Sequence, residues 1–325
     1  MDYVVLGCLS IDNIINAQGI KKLKQFGGNA AYGAAGMNLW KPGSIGVVSR
    51  MGTDIPVEWL EQMKKSGIDV EGIRSVGMRH MMFSGMVYDE YGDRNEVVFN
   101  EDLESEESGL IKGFPVMTPK MVKEAHENFA PTIEDIPASY RDAKAVMIAA
   151  RHFDRQLAYA QYFRKYNPDV RIVMDTGNDY MKPQYKNELS ELFSLVDVII
   201  PSETEARALF GEECDLEAAV IALTELGAKA AVIKVGKQGC IIYDSVTHKM
   251  VHVPVYAANV QDPTGAGDSF CGGFTVGLNE TNDLVQAAMY GTVSASFIIE
   301  NFGVTPTLEI KREMAEQRLE LLKTR

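Results

Sequence analysis

Positive charge is in short supply: 45 acidic side chains against 32 basic ones leave a formal net charge of −13 over 325 residues. Nucleic-acid binders usually carry a basic face or stripe, so no nucleic-acid partner is expected and a small molecule is the better default. Cysteine is scarce too. Cys8, Cys214, Cys240 and Cys271 show no C-x-x-C spacing, so neither a zinc site nor a disulfide framework is signalled. The opening segment MDYVVLGCLSIDNII has an acid at Asp2, no basic leader and no long apolar run. It reads as a first strand, which predicts a cytoplasmic chain with no membrane partner. Two nucleotide signatures are missing as well. There is no G-x-x-x-x-G-K-[ST] anywhere, and VVLGCLSID lacks the G-x-G-x-x-G that follows a first dinucleotide-binding strand.

What is present is a large apolar content, 46%, enough to bury a sizeable core. Short β-branched runs (YVVLG, SIGVVS, AKAVMIAA, RIVMD, VDVIIP, KAAVIKVG) alternate with segments of helical spacing. That alternation predicts an α/β fold, a central and mostly parallel sheet with helices on both faces. Two stretches break the rhythm, about 13–25 and 81–100. They alternate apolar and polar residues, as half-exposed antiparallel strands do, and predict a small β-sheet flap within a single domain over 1–325. The acidic, glycine-containing run Glu101–Gly113 reads as a solvated loop, and the last segment, TLEIKREMAEQRLELLKTR, as an amphipathic closing helix.

The stretch DPTGAGDSF, Asp262–Phe270, places small residues between two aspartates, after the strand-like MVHVPVY and before the helical spacing of DSFCGGFTVGL. A turn at a helix N-terminus presents unpaired N–H groups and a favourable dipole, so Gly265, Ala266 and Gly267 could cradle a phosphoryl oxygen. Asp268 would then be a general base beside an electrostatic clamp. An N-cap and a tight turn explain the same letters without chemistry.

A second glycine cluster, FGGNAAYGAAGMNLW from Phe26 to Trp40, also leads into a helical run. Together, and in this order, the two clusters resemble the ribokinase-like, or PfkB-type, carbohydrate kinases over nearly the whole chain. The resemblance implies a three-layer fold with a small β-sheet lid, and ATP and Mg2+ as cofactors. It implies that Gly27, Gly28 and Asn29 lie on the sugar site, that Asp268 deprotonates the acceptor hydroxyl, and that the Gly265, Ala266 and Gly267 amides stabilise the transferred γ-phosphoryl. Asp12, in SID, would grip sugar hydroxyls; a turn-forming aspartate is the alternative.

Further matches follow in chain order. SETE fits the family's N-x-x-E, making Glu205 the magnesium-organising acid with Ser202 where asparagine is usual; an ordinary capping box fits equally well. KVGKQG resembles the strand and turn beside the nucleotide, with Gly236, Gly239 and Lys234 as ATP contacts, although a plain hairpin has the same form. Asp262 would be a ligand of a monovalent cation such as K+, which many relatives hold. Tyr32 and Ser10 stand where ribokinases carry asparagine, so a ribokinase proper is not expected. Arg151 falls near a sugar-binding slot and, with Arg94 in the flap, suggests an anionic sugar such as a sugar acid. A nucleoside kinase, with Phe26, Tyr32 and Phe83 as an aromatic pocket, and a non-catalytic sugar-binding protein are the competing readings. The resemblance also implies a homodimer paired through the flap.

Overall fold

A computed structural model describes residues 1–80, 83–88, 94–96 and 119–324. Thirteen strands among them form two sheets: β1 (Tyr3–Leu6), β2 (Ser10–Ile15), β3 (Lys21–Gly27), β4 (Ile45–Met51), β5 (Ile68–Ser75), β6 (Phe83–Tyr88), β7 (Arg94–Glu96), β8 (Ala145–Ile148), β9 (Arg171–Met174), β10 (Val198–Ile199), β11 (Ala230–Lys234), β12 (Cys240–Asp244) and β13 (Lys249–Val253). The large sheet has nine strands in the order β13-β12-β11-β10-β9-β8-β1-β4-β5. Every neighbouring pair from β5 to β11 is parallel; only β12 and β13, joined by hairpins, run antiparallel to their neighbours.

The sequence of β1 shows why it is central. All four residues of YVVL are buried, and alternate side chains serve opposite faces, as strand geometry requires. Tyr3 and Val5 join the core under the helices Asn29–Asn38, Ala266–Thr281 and Leu284–Ile298. Val4 and Leu6 join the core under the helices Phe153–Tyr166, Lys186–Phe193 and Leu216–Glu225. The expected two-faced α/β architecture is therefore present.

Small residues set the contact between the two helices that lead from the glycine clusters. A Cβ on Gly272 would lie 2.1 Å from the Gly33 carbonyl oxygen, and one on Gly36 2.3 Å from that of Ser269. Trp40, wholly buried, anchors the far end: it stacks on Tyr290 at 4.0 Å and its Nε1 donates to Ser294 Oγ at 2.8 Å. Truncating such a tryptophan costs about 3–5 kcal/mol.

The small sheet has the order β3-β2-β6-β7. It corrects two expectations. The opening segment, read as one first strand, is two: the first ends at Leu6, and Asp12 sits on β2, in the small sheet itself. The flap is not wholly antiparallel either: β2 and β6 pair in parallel, because the chain crosses the large sheet through β4 and β5 before returning. The 89–93 connection and the Glu101–Gly113 loop lie outside the described residues, as do the side chains of Phe83 and Arg94. The strand β13 stops at Val253, so an irregular segment separates it from the Asp262 turn. The closing amphipathic helix is present at Arg312–Lys323, burying Ala315, Leu319 and Leu322. No helix among the described residues is long and apolar enough to cross a membrane.

Candidate active site

The sharp turn of DPTGAGD is made by Gly265, whose φ of 77° caps the helix Ala266–Thr281. A side chain there would collide with the Tyr32 ring, so glycine is required twice over. The Ala266 N–H already donates to the Pro263 carbonyl at 3.2 Å. The Gly265 and Gly267 amides have no acceptor among the described residues. Asp268 follows in the first turn. Burial, reinforced by the negative charge of Asp175 and opposed by Lys234 and Arg151, pushes its carboxyl up to about 7. A carboxylate so poised is suited to taking a proton near neutral pH.

Lys234, at the end of β11, reaches the same helix start. Its Nζ lies 3.3 Å from where a Gly267 Cβ would be and 2.6 Å from Asp175 Oδ1. Burial alone would lower the ammonium's pKa, but the Asp175 carboxylate outweighs it and the shift is upward. Asp175, directly after β9, was not among the sequence candidates. An acid just past the carboxyl end of an apolar parallel strand is the signal that could have found it.

The side of the site opposite this turn is built on Asp12, which is 1% exposed. Ser10 Oγ donates to its Oδ1 and the Tyr32 hydroxyl to its Oδ2, the latter at 3.1 Å. Gly27 lies against Asp12: a Cβ there would be 1.8 Å from Asp12 Oδ2, so the glycine makes room for the carboxylate. Gly28, at φ 98°, caps the helix Asn29–Asn38 and lines the cavity. Asn29 braces two loop ends, accepting from the Cys8 N–H at 2.8 Å and donating to the Ala150 carbonyl at 2.9 Å.

These groups surround a cavity of about 440 Å3 lined by Asp12, Gly28, Asn29, Tyr32, Arg151 and the turn Pro263–Asp268, among others. The small sheet closes one side through Tyr88, whose hydroxyl bonds Thr264 Oγ1 at 2.9 Å. Thr264 in turn donates to Asp262 Oδ1 from its N–H at 3.0 Å and its hydroxyl at 2.6 Å. Asp262 Oδ2 is buried without a partner, a donor set that fits a cation beside the turn. Burial raises the Asp262 carboxyl against the opposing pull of the Thr264 hydrogen bonds.

Glu205 and Ser202 form a reciprocal capping box, Ser202 Oγ accepting from the Glu205 N–H at 3.2 Å and Glu205 Oε2 from the Ser202 N–H at 2.7 Å. Thr176 Oγ1 adds a donor at 3.1 Å. Burial and the nearby Asp175 charge raise the Glu205 carboxyl. Among the described residues no three His, Cys, Asp or Glu side chains are grouped to hold a metal directly. Gly236 and Gly239 flank the β11–β12 hairpin turn and do not line the cavity. Of the aromatic trio, only Tyr32 reaches it among the described side chains; Phe26 is buried and stacked on Trp59 at 4.8 Å.

The pfkB family carbohydrate kinase profile matches residues 161–311. A cytidine kinase from Thermococcus kodakarensis is 28% identical over 305 residues, 93% of this chain and 98% of that protein. A 5-dehydro-2-deoxygluconokinase from Geobacillus kaustophilus is 27% identical over 346 aligned positions, covering 98% of this chain and 94% of that one. Among solved structures, the Arabidopsis thaliana ribokinase complexed with ribose and ATP superposes with a TM-score of 0.68 at 20% identity, over 98% of each chain. That likeness establishes the ribokinase-like fold.

Proposed function

We propose that this chain, whose residues 161–311 match the pfkB family carbohydrate kinase profile, transfers the γ-phosphoryl group of ATP to a hydroxyl of a sugar or sugar-derived small molecule. One observation carries the reading: a carboxyl pushed up to about 7 stands in the first turn of a helix whose Gly265 and Gly267 amides are unengaged.

Asp12 receives hydroxyls of the acceptor and orients them. Asp268 takes the proton of the reacting hydroxyl as its oxygen bonds to the γ-phosphorus and the bond from that phosphorus to the ADP oxygen breaks. The Gly265 and Gly267 amides, at the positive end of the helix, stabilise charge on the phosphoryl oxygens in transit. Lys234, held by Asp175, adds a fixed positive charge beside them. Magnesium neutralises donor phosphate charge when bound; Glu205 is the residue assigned to it, through water, since this ion keeps most of its hydration. The buried, unpartnered Asp262 Oδ2 is assigned to a monovalent cation such as K+. The small sheet acts as a lid within one kinase domain over 1–325, excluding water that would otherwise accept the phosphoryl group. A cytoplasmic location and a homodimer paired through the lid belong to the same proposal.

The test is ADP release with magnesium and ATP across pentoses, hexoses, sugar acids and nucleosides, run beside Asp268→Asn. Turnover on one sugar-like compound, lost in the variant, supports the reading. Binding without ADP release would sink it in favour of a non-catalytic sugar-binding protein. A second reading, a nucleoside kinase with the same base and turn, is favoured by the nearly full-length match to the cytidine kinase, and turnover on a nucleoside alone would select it.

A further inference from the structure

Among the part-buried arginines, Arg141 bonds the Tyr162 hydroxyl, Arg171 bonds the Leu278 carbonyl, and five others, Arg50, Arg164, Arg207, Arg312 and Arg318, each hold a carboxylate at 2.6 to 2.8 Å. Arg151 does not. It follows β8 at the cavity wall, its Nε is buried with no partner, and its Nη2 has only a 3.4 Å contact to Asn29 Oδ1. That oxygen is already engaged by the Cys8 N–H at 2.8 Å. A guanidinium offers five donors in a planar fork shaped for a carboxylate, and leaving one part-desolvated and unpaired is costly.

Arg151 is also the one cationic side chain among the cavity's described lining residues, which include Asp12 and Asp268. A neutral polyol can satisfy the two acids through its hydroxyls but brings nothing for the arginine. An acceptor with a carboxylate at one end and a chain of hydroxyls satisfies all three. The guanidinium's attraction also pulls against the upward shift of Asp268, so an anion bound at Arg151 would make the base more basic when substrate is present.

We propose that Arg151 is a specificity-determining residue that pairs with the carboxylate of the acceptor, which makes the substrate class a polyhydroxylated monocarboxylate, a sugar acid. The proposal rests on the kinase reading above. A phosphate or sulfate on the sugar would share the anionic chemistry, and the experiment separates these sources.

The experiment measures Kd by calorimetry and kcat/KM by ADP release for matched sets on one carbon chain: aldonic acid, alditol and sugar phosphate, with cytidine alongside, on the wild type, Arg151→Gln and Arg151→Lys. The best acid is expected to exceed its alditol, its phosphate and cytidine. Arg151→Gln should erase about ten- to hundredfold of the acid's advantage, and Arg151→Lys, which keeps the charge but not the fork, should fall between. Acid binding that depends on Arg151 without ADP release would uphold the carboxylate site while overturning the kinase reading. Turnover of a neutral sugar, a sugar phosphate or cytidine as efficient as that of any acid would overturn the proposal and leave the kinase reading standing. Acid binding unchanged in Arg151→Gln, or no acid bound at all, would overturn it equally.

Discussion

The ring of Tyr32 lies so close to Gly265 that a Cβ on the glycine would sit 2.2 Å from its Cγ, while the hydroxyl of the same tyrosine donates to Asp12 Oδ2 at 3.1 Å. One side chain thus touches both the Gly265 turn and the Asp12 carboxylate, the two ends to which the proposed function gives the phosphoryl group and the acceptor. Tyr32→Phe keeps the first contact and removes the second. A hydrogen bond to a charged group is worth about 1.5–3 kcal/mol, and Ser10 still holds the other oxygen. The acceptor KM should rise about tenfold with kcat little changed, measured by steady-state kinetics at saturating ATP.

Gly265→Ala tests the turn itself. The φ of 77° disfavours any Cβ, and the ring leaves no room for one. Strain and overpacking together should cost about 2–4 kcal/mol. Urea unfolding should show that loss, and the variant should lose turnover more severely than it loses stability, because the displaced amides face the cavity.

Asp268→Asn should lower kcat by about a hundred- to ten-thousandfold, the usual contribution of a general base. In the wild type, kcat/KM should climb with pH as the carboxyl ionises, with its midpoint near the value of about 7 to which burial and Asp175 raise it. Stability runs the other way. Between 3.8, the ordinary aspartate value, and about 7, the folded protein keeps a proton that the unfolded chain has released. The stabilisation from that proton is complete below the lower value and gone above the upper one. Chemical denaturation from about pH 5 to about pH 8 should therefore weaken the wild type more than Asp268→Asn. An equal pH dependence in the two proteins would refute the assignment.

Asp175→Asn leaves the Lys234 ammonium in a buried place without its partner 2.6 Å away. Breaking such a pair from one side costs about 3–5 kcal/mol, whereas replacing both members is far milder. The double variant Asp175→Asn/Lys234→Met should recover much of the stability lost by the single one, but not the turnover. A double-mutant cycle by urea denaturation reads the first, and ADP release the second.

The turn from Asp262 to Asp268 was legible because its constraints are local. A glycine at positive φ, small neighbours and an acid in the first helical turn are written consecutively from Asp262 to Asp268, and the alternation of apolar runs gave the parallel sheet. Asp175 and Lys234 are 59 positions apart and meet only because β9 and β11 bring their carboxyl ends to one edge. Nor could spacing reveal that Tyr88 and Thr264, 176 positions apart, share a hydrogen bond across the lid. The need for glycine at 27 was hidden for the same reason: its neighbour in space is Asp12, and a one-dimensional motif does not say which side of a glycine is crowded. For Ser202 and Glu205 the capping-box reading named a feature that is present, and the acid also lies near the Asp175 charge.

The backbone contacts at Gly33 with Gly272, and at Gly36 with Ser269, work like a machined joint with no gasket. Where helices meet through side chains, successive substitutions can widen or narrow the gap by fractions of an ångström. Here the nearest approaches are to main-chain oxygens, so the separation of the two helices at these points is set by the main chain. Descendants or designs that handle a longer or shorter acceptor must alter the residues that project into the cavity, Arg151 and the lid among them, and leave the two helices where they are.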